Sequence, residues 1–238
     1  MPKFDLEKTQ ELERLFQVDR KARDEMWYKS FFSAVVDASL VCGHPQVVIG
    51  PDQFPYFHLG LPSRGAFEPF CISHILDNAL SNVFGVCIFS SLENTSAPEY
   101  VFSYGDLLSY KLYGTFAGDP AEVNTRPSPA LKQEVLTEAR DILVGQPNED
   151  YLPTISLKAL GDFMRKRLGH PDPKICLILD TQLKPSKNLA VNVGIDDVGG
   201  DPKQLQSIFG VISWFLPRNY GLMSVPSAIN QSALAALP

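Results

Sequence analysis

The sequence predicts an α+β protein of two small domains, each a mixed or antiparallel sheet packed with helices. A chain of 238 residues is long for one mixed domain and comfortable for two of about 100–120 residues each. Amphipathic helical segments and short apolar runs suited to strands occur in both halves. Residues 117–129 hold three prolines and no periodic apolar pattern, which is typical of a linker. We therefore predict an N-terminal domain over 1–116, a linker over 117–129 and a C-terminal domain over 130–238.

The first elements predicted are two helices and a hairpin. Helices are expected over 5–16 and 19–40, where apolar residues recur at helical spacing, and Gly43-His44-Pro45 is expected to end the second. Strands over 46–50 and 54–59 then flank the turn residues Pro51, Asp52 and Gln53.

The rest of the first half is predicted to alternate helix and strand. Apolar spacing favours a helix over 70–83 that stops at Gly85, followed by strands over 86–89 and 100–102. A short helix that Asp106 caps and Gly114 ends closes this half.

In the second half, residues 131–143 fit a helix or an extended segment equally well. A helix capped by Thr154 and closed by Gly169 follows. The continuous apolar run over 175–179 suits a central strand, and the alternation over 188–195 suits a half-buried one.

The last predicted helix has the clearest boundaries. Asp201 is its cap, Pro202 its first residue and Pro217 its stop. Its apolar stripe consists of Leu205, Ile208, Phe209, Ile212, Phe215 and Leu216. A short strand over 221–225 follows, and the tail over 227–238 is expected to fray. The second half thus reads helix, strand, strand, helix, strand, and no internal sequence repeat is evident.

A family resemblance lies in this second half. Gly145-Gln146-Pro147 follows an apolar pair, and the helix bearing Leu157 and Leu160, the two strands and the helix before Pro217 come in a matching order. In these features residues 140–226 resemble the C-terminal domain of the SseB-like family, named for enhanced serine sensitivity. The resemblance implies a bacterial cytoplasmic α+β protein. It carries over no catalytic residue.

Composition excludes several classes of function. Hydrophobic residues make up 45% and charged residues 20%, so the chain can bury a core. The net charge of −6 argues against a nucleic-acid partner, because phosphate binding usually requires a basic excess. No apolar stretch reaches the roughly 18 residues of a membrane span, and the polar N-terminus does not look like a secretory signal. We therefore expect a cytoplasmic protein without nucleic-acid or membrane partners.

Cysteine and histidine offer two weak metal-like pairs. Cys71 and His74 are three residues apart on a predicted helix, and Cys42 and His44 form the other close pair. A structural zinc site usually needs four ligands in two regularly spaced pairs, so buried thiols beside histidines are the simpler interpretation. We predict no metal and no cofactor.

Catalytic patterns are equally weak. The sequence has no Gly-x-Ser-x-Gly motif, and Cys87 and Cys176 lie in apolar strands where a reactive thiolate is unexpected. The glycines before Asp201 precede a helix N-terminus, but Asp196 and Asp197 would repel phosphate there. That turn either binds a hard cation weakly or is simply solvated. We assign no catalytic residue.

One segment is unusually aromatic. Six of its 17 residues are aromatic, where the overall 11% content predicts about two. These six are Tyr100, Phe102, Tyr104, Tyr110, Tyr113 and Phe116. Inward packing is the commoner role of such a cluster, and a contact surface made by Tyr104, Tyr110 and Tyr113 is the functional alternative.

Together these observations favour a non-enzymatic binding or regulatory module that acts through protein contacts, with a protein partner or by self-association. The alternative is a small-molecule hydrolase or transferase whose active-site residues are dispersed along the chain. An apolar pocket with convergent Asp, His or Cys groups would favour the enzyme. A broad exposed apolar patch would favour the interaction protein.

Overall fold

The computed structural model describes residues 5–63, 70–93, 95, 97–116, 143–180, 186–226, 229 and 231–238. The fold is α+β, as predicted, and the chain divides into two compact units, Met1–Leu107 and Leu108–Pro238. Each unit contains a mixed sheet. The proposed linker over 117–129 lies outside the described residues, so the domain limits at 116 and 130 stay a prediction.

Unit 1 (Met1–Leu107) contains a four-stranded sheet in the order β1-β2-β3-β4. Its elements are α1 (Leu6–Phe16), α2 (Glu25–Val35), β1 (Val41–Ile49), β2 (Pro55–Gly60), α3 (Ile72–Asn82), β3 (Gly85–Phe89) and β4 (Tyr100–Phe102). A further helix, α4 (Tyr104–Tyr113), begins here and continues into unit 2. β1 and β2 form an antiparallel hairpin, α3 connects β2 to the parallel strand β3, and β4 pairs antiparallel with β3.

The predicted helix over 19–40 was wrong in its length. Asp24 caps a shorter helix by accepting a hydrogen bond from the Trp27 amide, and α2 ends at Val35. Gly43 lies inside β1 and does not end a helix. Gly43, His44 and Pro45, which suggested the end of the helix, lie where the pairing of β1 with β2 shifts register between Cys42 and Val47. β1 is the outer strand of the sheet. Edge strands tolerate such bulges and prolines because their outer backbone groups are not paired.

Two helix ends also differ from the prediction. The cap of α4 is Ser103, whose hydroxyl accepts a hydrogen bond from the Asp106 amide, while the Asp106 carboxylate accepts one from the Ser103 amide. Gly114, at a φ of 70°, ends α4 as predicted. The stop of α3 is Val83 in the left-handed conformation, and Gly85 is the first residue of β3.

A buried ion pair ties together two loops of unit 1. The Arg23 guanidinium lies 2.6 Å from the Glu99 carboxylate, and only 5% and 11% of the two side chains are exposed. Arg23 also donates a hydrogen bond to the Glu99 carbonyl and stacks 4.4 Å above the Trp27 ring. The pair connects the α1–α2 region with the start of β4.

Unit 2 (Leu108–Pro238) contains a five-stranded sheet. Its elements after α4 are β5 (Leu143–Gly145), α5 (Thr154–Lys166), β6 (Lys174–Leu179), β7 (Lys187–Val191), α6 (Pro202–Ile212), β8 (Gly221–Ser224) and β9 (Ala235–Ala236). The order is β5-β6-β7-β8, with β9 paired to β6. β6 and β7 form an antiparallel hairpin, and α6 connects β7 to the parallel strand β8.

The boundaries of unit 2 confirm some predictions and correct others. Asp201 caps α6, with Pro202 as its first residue, and Phe209 and Ile212 are buried. Thr154 does not cap α5 with its side chain; it is the first helical residue. The strand predicted over 188–195 ends at Val191, because the chain turns into a 3-10 turn at Asp196–Val198.

The C-terminal tail was predicted to fray, and this was wrong for its described residues. Ile229 and Leu234 cluster with Cys176, Ile178 and Ala190 on one face of the sheet. β9 then pairs with β6. The tail is ordered because it covers an apolar sheet face that would otherwise be in water. Among the described residues, no helix has both the length and the apolar character of a membrane span.

Candidate functional site

The three tyrosines predicted to form a contact surface have different environments. Tyr104 is fully buried, so its assignment to a surface is corrected. Tyr110 is half-buried and stacks on Phe116 with ring centroids 4.8 Å apart. Tyr113 is half-buried, and its hydroxyl lies 2.5 Å from that of Tyr220. A surface formed by Tyr110 and Tyr113 stays a prediction.

The hydroxyl of Tyr113 belongs to a directed chain of hydrogen bonds within unit 2. Tyr220 donates its hydroxyl hydrogen to the Tyr151 carbonyl at 2.5 Å. Tyr113 must therefore be the donor in its contact with Tyr220. The rings of Tyr151 and Tyr220 stack 4.0 Å apart, so these contacts hold Tyr113 against the unit.

Cys71, Cys87 and Cys176 are buried, and Cys42 is half-buried. Desolvation raises the pKa of Cys87 to about 12 and also raises the pKa of Cys42 and of Cys176. Cys71 precedes α3, with its sulfur 3.1 Å from the Ser73 hydroxyl. Within the described parts of the chain, no group of three or more His, Cys, Asp or Glu side chains is arranged to hold a metal.

Unit 2 has a small open cavity of about 210 Å³, which we call the His170 cavity. It is lined by Leu168, Gly169, His170, Pro171, Val193, Asp197, Val198 and Ile208. These residues come from the end of α5, the segment after β7, the following turn and α6. Five of the eight are apolar in character, and His170 and Asp197 are the only two with ionisable side chains.

The local sequence explains why His170 reaches this place. Gly169 has a φ of 69°, a conformation that strains other residues, so the chain leaves α5 sharply. The His170 amide then donates back to the Met164 carbonyl at 3.0 Å, which closes the helix end. As a result, the His170 side chain lies beside the hairpin formed by β6 and β7.

Asn192 fixes the orientation of the His170 ring. Its amide oxygen accepts a hydrogen bond from the Lys174 amide at 2.6 Å, and its amide nitrogen donates to the Asp172 carbonyl at 2.8 Å. His170 Nε2 lies 3.0 Å from the Asn192 carbonyl oxygen and 3.1 Å from the Asn192 side-chain oxygen. Both neighbours are acceptors, so neutral His170 carries its proton on Nε2 and keeps Nδ1 as an acceptor.

Asp197 provides the other polar group of the cavity. One carboxylate oxygen, Oδ2, accepts a hydrogen bond from the Gly194 amide at 2.7 Å, which holds the turn before α6. The side chain is exposed, and no hydrogen bond or ion pair to its second oxygen exists among the described residues. The two ionisable side chains of the cavity are thus both able to accept hydrogen bonds.

Both units bury polar side-chain atoms that have no hydrogen-bond partner among the described residues. In unit 1 neither ring nitrogen of His58 has a hydrogen-bond partner, and the ring centroid of Phe89 lies 4.8 Å from that of His58. In unit 2 both amide atoms of Asn219 are unpaired. The alternation of Phe54, Tyr56 and His58 places His58 on an aromatic side of β2, and this pattern could have predicted its burial.

The sequence did not predict the His170 cavity. Gly169 was read as a helix end and Asp197 as part of an acidic turn, but nothing linked them. His170 is held by Asn192, which is 22 residues away along the chain, and such a tertiary contact leaves no local pattern. No family model, curated protein or solved structure matches the chain.

Proposed function

We propose that the protein is a non-enzymatic binding module that acts in the cytoplasm through protein contacts, and that the His170 cavity receives a side chain of its partner. The size of the cavity is the main support. Its volume of about 210 Å³ is below the roughly 300–1,000 Å³ of sites that enclose small molecules. A cavity of this size suits one large side chain inserted from another surface.

The chemistry of the lining also favours binding over the enzymatic alternative. None of the eight lining residues is a serine, cysteine, threonine or lysine that could act as a nucleophile. His170 and Asp197 could exchange protons, but a hydrolase or transferase would need further groups to bind and activate its substrate. Desolvation raises the pKa of Cys87 to about 12, which argues against this thiol as a nucleophile.

Kinship of the second half with the SseB-like family is part of this proposal. Its support is the Gly145-Gln146-Pro147 sequence after an apolar pair and the order of elements over 140–226. The bacterial origin that the resemblance implies has the same support.

The test fills the cavity and measures partner retention. In Ile208→Trp, a half-buried lining residue of α6 becomes larger. Ile155→Trp makes the same change on the surface of α5, where the side chain is 41% exposed and does not line the cavity. Both tagged full-length variants and the wild type are incubated with native lysate, and retained proteins are identified by mass spectrometry.

We expect a discrete protein to be retained by the wild type and by Ile155→Trp and to be lost from Ile208→Trp, with all three proteins folded by thermal melting. Purified partner should then reproduce the difference in a titration. Equal retention by both variants would show that the cavity is not a docking site. Absence of any retained protein would count against the module itself.

A further inference from the structure

We propose that the His170 cavity takes the side chain of an unmodified lysine from the partner protein. This inference rests on the proposed function and specifies what the partner inserts. It depends on three properties of the cavity: its hydrogen-bonding capacity, the chemistry of its walls and the charge around its opening.

The side chains of the cavity offer acceptors and no free donor. In the neutral His170 ring the Nε2 proton is used by Asn192, which leaves the lone pair of Nδ1. Asp197 contributes a carboxylate, whose Oδ1 has no described partner. An occupant that satisfies both groups must bring hydrogen-bond donors, and an ammonium group carries three of them.

The walls suit the stem of a lysine. Leu168, Val193 and Ile208 present aliphatic surface, and a four-carbon chain gains by covering such surface while its charged tip reaches polar groups. The lining includes no phenylalanine, tyrosine or tryptophan, so the aromatic cage that recognises methylated lysine is missing from it.

The geometry of Asp197 favours lysine over arginine. A guanidinium gains most when it pairs through two parallel hydrogen bonds with both oxygens of one carboxylate. Oδ2 of Asp197 is already occupied by the Gly194 amide. The remaining oxygen and His170 Nδ1 belong to separate residues, and a compact ammonium with rotatable donors suits such an arrangement better.

Charge around the opening attracts a cation. Asp196 and Asp197 lie in the same exposed turn, and neither has an ion-pair partner among the described residues. Of the nearby basic run, Arg165 donates hydrogen bonds to the Leu237 and Pro238 carbonyls, and Lys166 pairs with Asp162. Arg167 is exposed beside Leu168, and its positive charge and that of Arg165 oppose the attraction through space.

The test uses the full-length protein labelled with ¹⁵N and a blocked lysine, N-acetyl-lysine methylamide, as the probe. We expect saturable shifts of the Gly169, Gly194 and Val198 amide signals. The norleucine analogue has the same four-carbon stem without the ammonium and should bind at least about tenfold more weakly. The acetyl-lysine analogue, which has lost the charge, should be similarly weak.

Matched variants locate the ammonium. Asp197→Asn keeps an oxygen for the Gly194 amide but removes the charge, and it should weaken binding of the blocked lysine about tenfold or more. Asp196→Asn removes a neighbouring exposed charge outside the lining and should weaken binding less than about threefold.

Equal binding of lysine and norleucine analogues, no saturable binding of the lysine analogue, or equal effects of the two aspartate variants would each overturn the inference. If that happens while Ile208→Trp still abolishes partner retention, the proposed docking site stands and its lysine specificity fails. If Ile208→Trp retains the partner, the docking site itself fails, whatever the blocked lysine does.

Discussion

The two units share a framework but differ where unit 2 has its cavity. Each contains a helix, an antiparallel hairpin, a second helix and a strand parallel to the second hairpin strand. In unit 1 these are α2, β1, β2, α3 and β3, and in unit 2 they are α5, β6, β7, α6 and β8. The additional strands extend opposite edges of this shared framework. In unit 1 β4 pairs with β3, and in unit 2 β5 and β9 pair with β6.

The segment after the first helix takes different contacts in the two units. In unit 1 it bonds to the start of the second helix: the Ser73 amide donates to the Val36 carbonyl and the Leu40 amide to the Phe70 carbonyl. In unit 2 the equivalent segment at His170 bonds to Asn192 after the hairpin. The cavity lies between that segment and α6. The common framework thus joins the two segments by backbone hydrogen bonds in unit 1, whereas in unit 2 the His170 cavity lies between them.

The largest expected effect tests the shared role of the second helix. Phe209 in α6 and Leu76 in α3 are 8% and 7% exposed. Phe209→Ala should cost about 3–5 kcal/mol and Leu76→Ala about 2–5 kcal/mol of unfolding free energy, because each leaves a cavity in a packed interior. Denaturant unfolding is followed through Trp27 in unit 1 and Trp214 in unit 2, the chain's two tryptophans. A cost below about 1 kcal/mol in either unit would break the comparison.

The next prediction compares the stability contributed by a buried ion pair in unit 1 with that of an exposed ion pair in unit 2. Glu99→Gln leaves the Arg23 charge buried without compensation and should destabilise unit 1 by about 3 kcal/mol. Asp162→Asn removes an exposed pair with Lys158 and Lys166 in unit 2 and should cost less than about 1 kcal/mol. Both are measured by urea unfolding at neutral pH, and equal costs would contradict the difference in burial.

The Asp162 contribution has a defined pH dependence. Hydrogen bonds from Lys158 and then Lys166 lower the pKa of Asp162 from its ordinary value. A lowered folded-state pKa means that the stabilisation is present above the ordinary pKa and disappears as the pH falls through the lowered one. The small difference between wild type and Asp162→Asn should therefore vanish in acid.

The next prediction has the opposite sign. His58→Leu and Asn219→Leu each replace a buried polar side chain that has no described partner, one in each unit. Removing the desolvation penalty should raise the stability of the affected unit by about 1 kcal/mol, provided that leucine fits the space. The midpoints reported by Trp27 and Trp214 check this, and a loss of more than about 1 kcal/mol would reveal a partner for the polar group.

The smallest effect concerns the tyrosines of α4. Tyr113→Phe removes the hydroxyl that donates to Tyr220 and should cost about 0.5–1.5 kcal/mol, measured by thermal unfolding. Tyr110→Ser combined with Tyr113→Ser should weaken association with a partner or with a second copy, measured by light scattering and titration. An unchanged association constant for the double variant would remove these tyrosines from the contact surface.

Local signals in the sequence were sufficient for much of the fold and little of the site. Asp201 caps its helix through the short-range hydrogen bond expected of it, and the turn after Pro51 forms as predicted. Gly43 was misread because a breaker in an edge strand looks like a helix end until the partner strand is known. His170 was missed because its orientation depends on Asn192, which is distant in sequence.

The central claim is that a partner protein docks at the His170 cavity of unit 2 and not on unit 1. Site-specific photocrosslinking tests it directly, with a photoreactive phenylalanine analogue at position 171 or at position 63. Pro171 is exposed and lines the cavity, and Ser63 is exposed just after β2. We predict a discrete cross-linked partner from position 171 that is lost with Ile208→Trp and absent from position 63. Equal cross-linking from both positions, or none from position 171, would contradict the account.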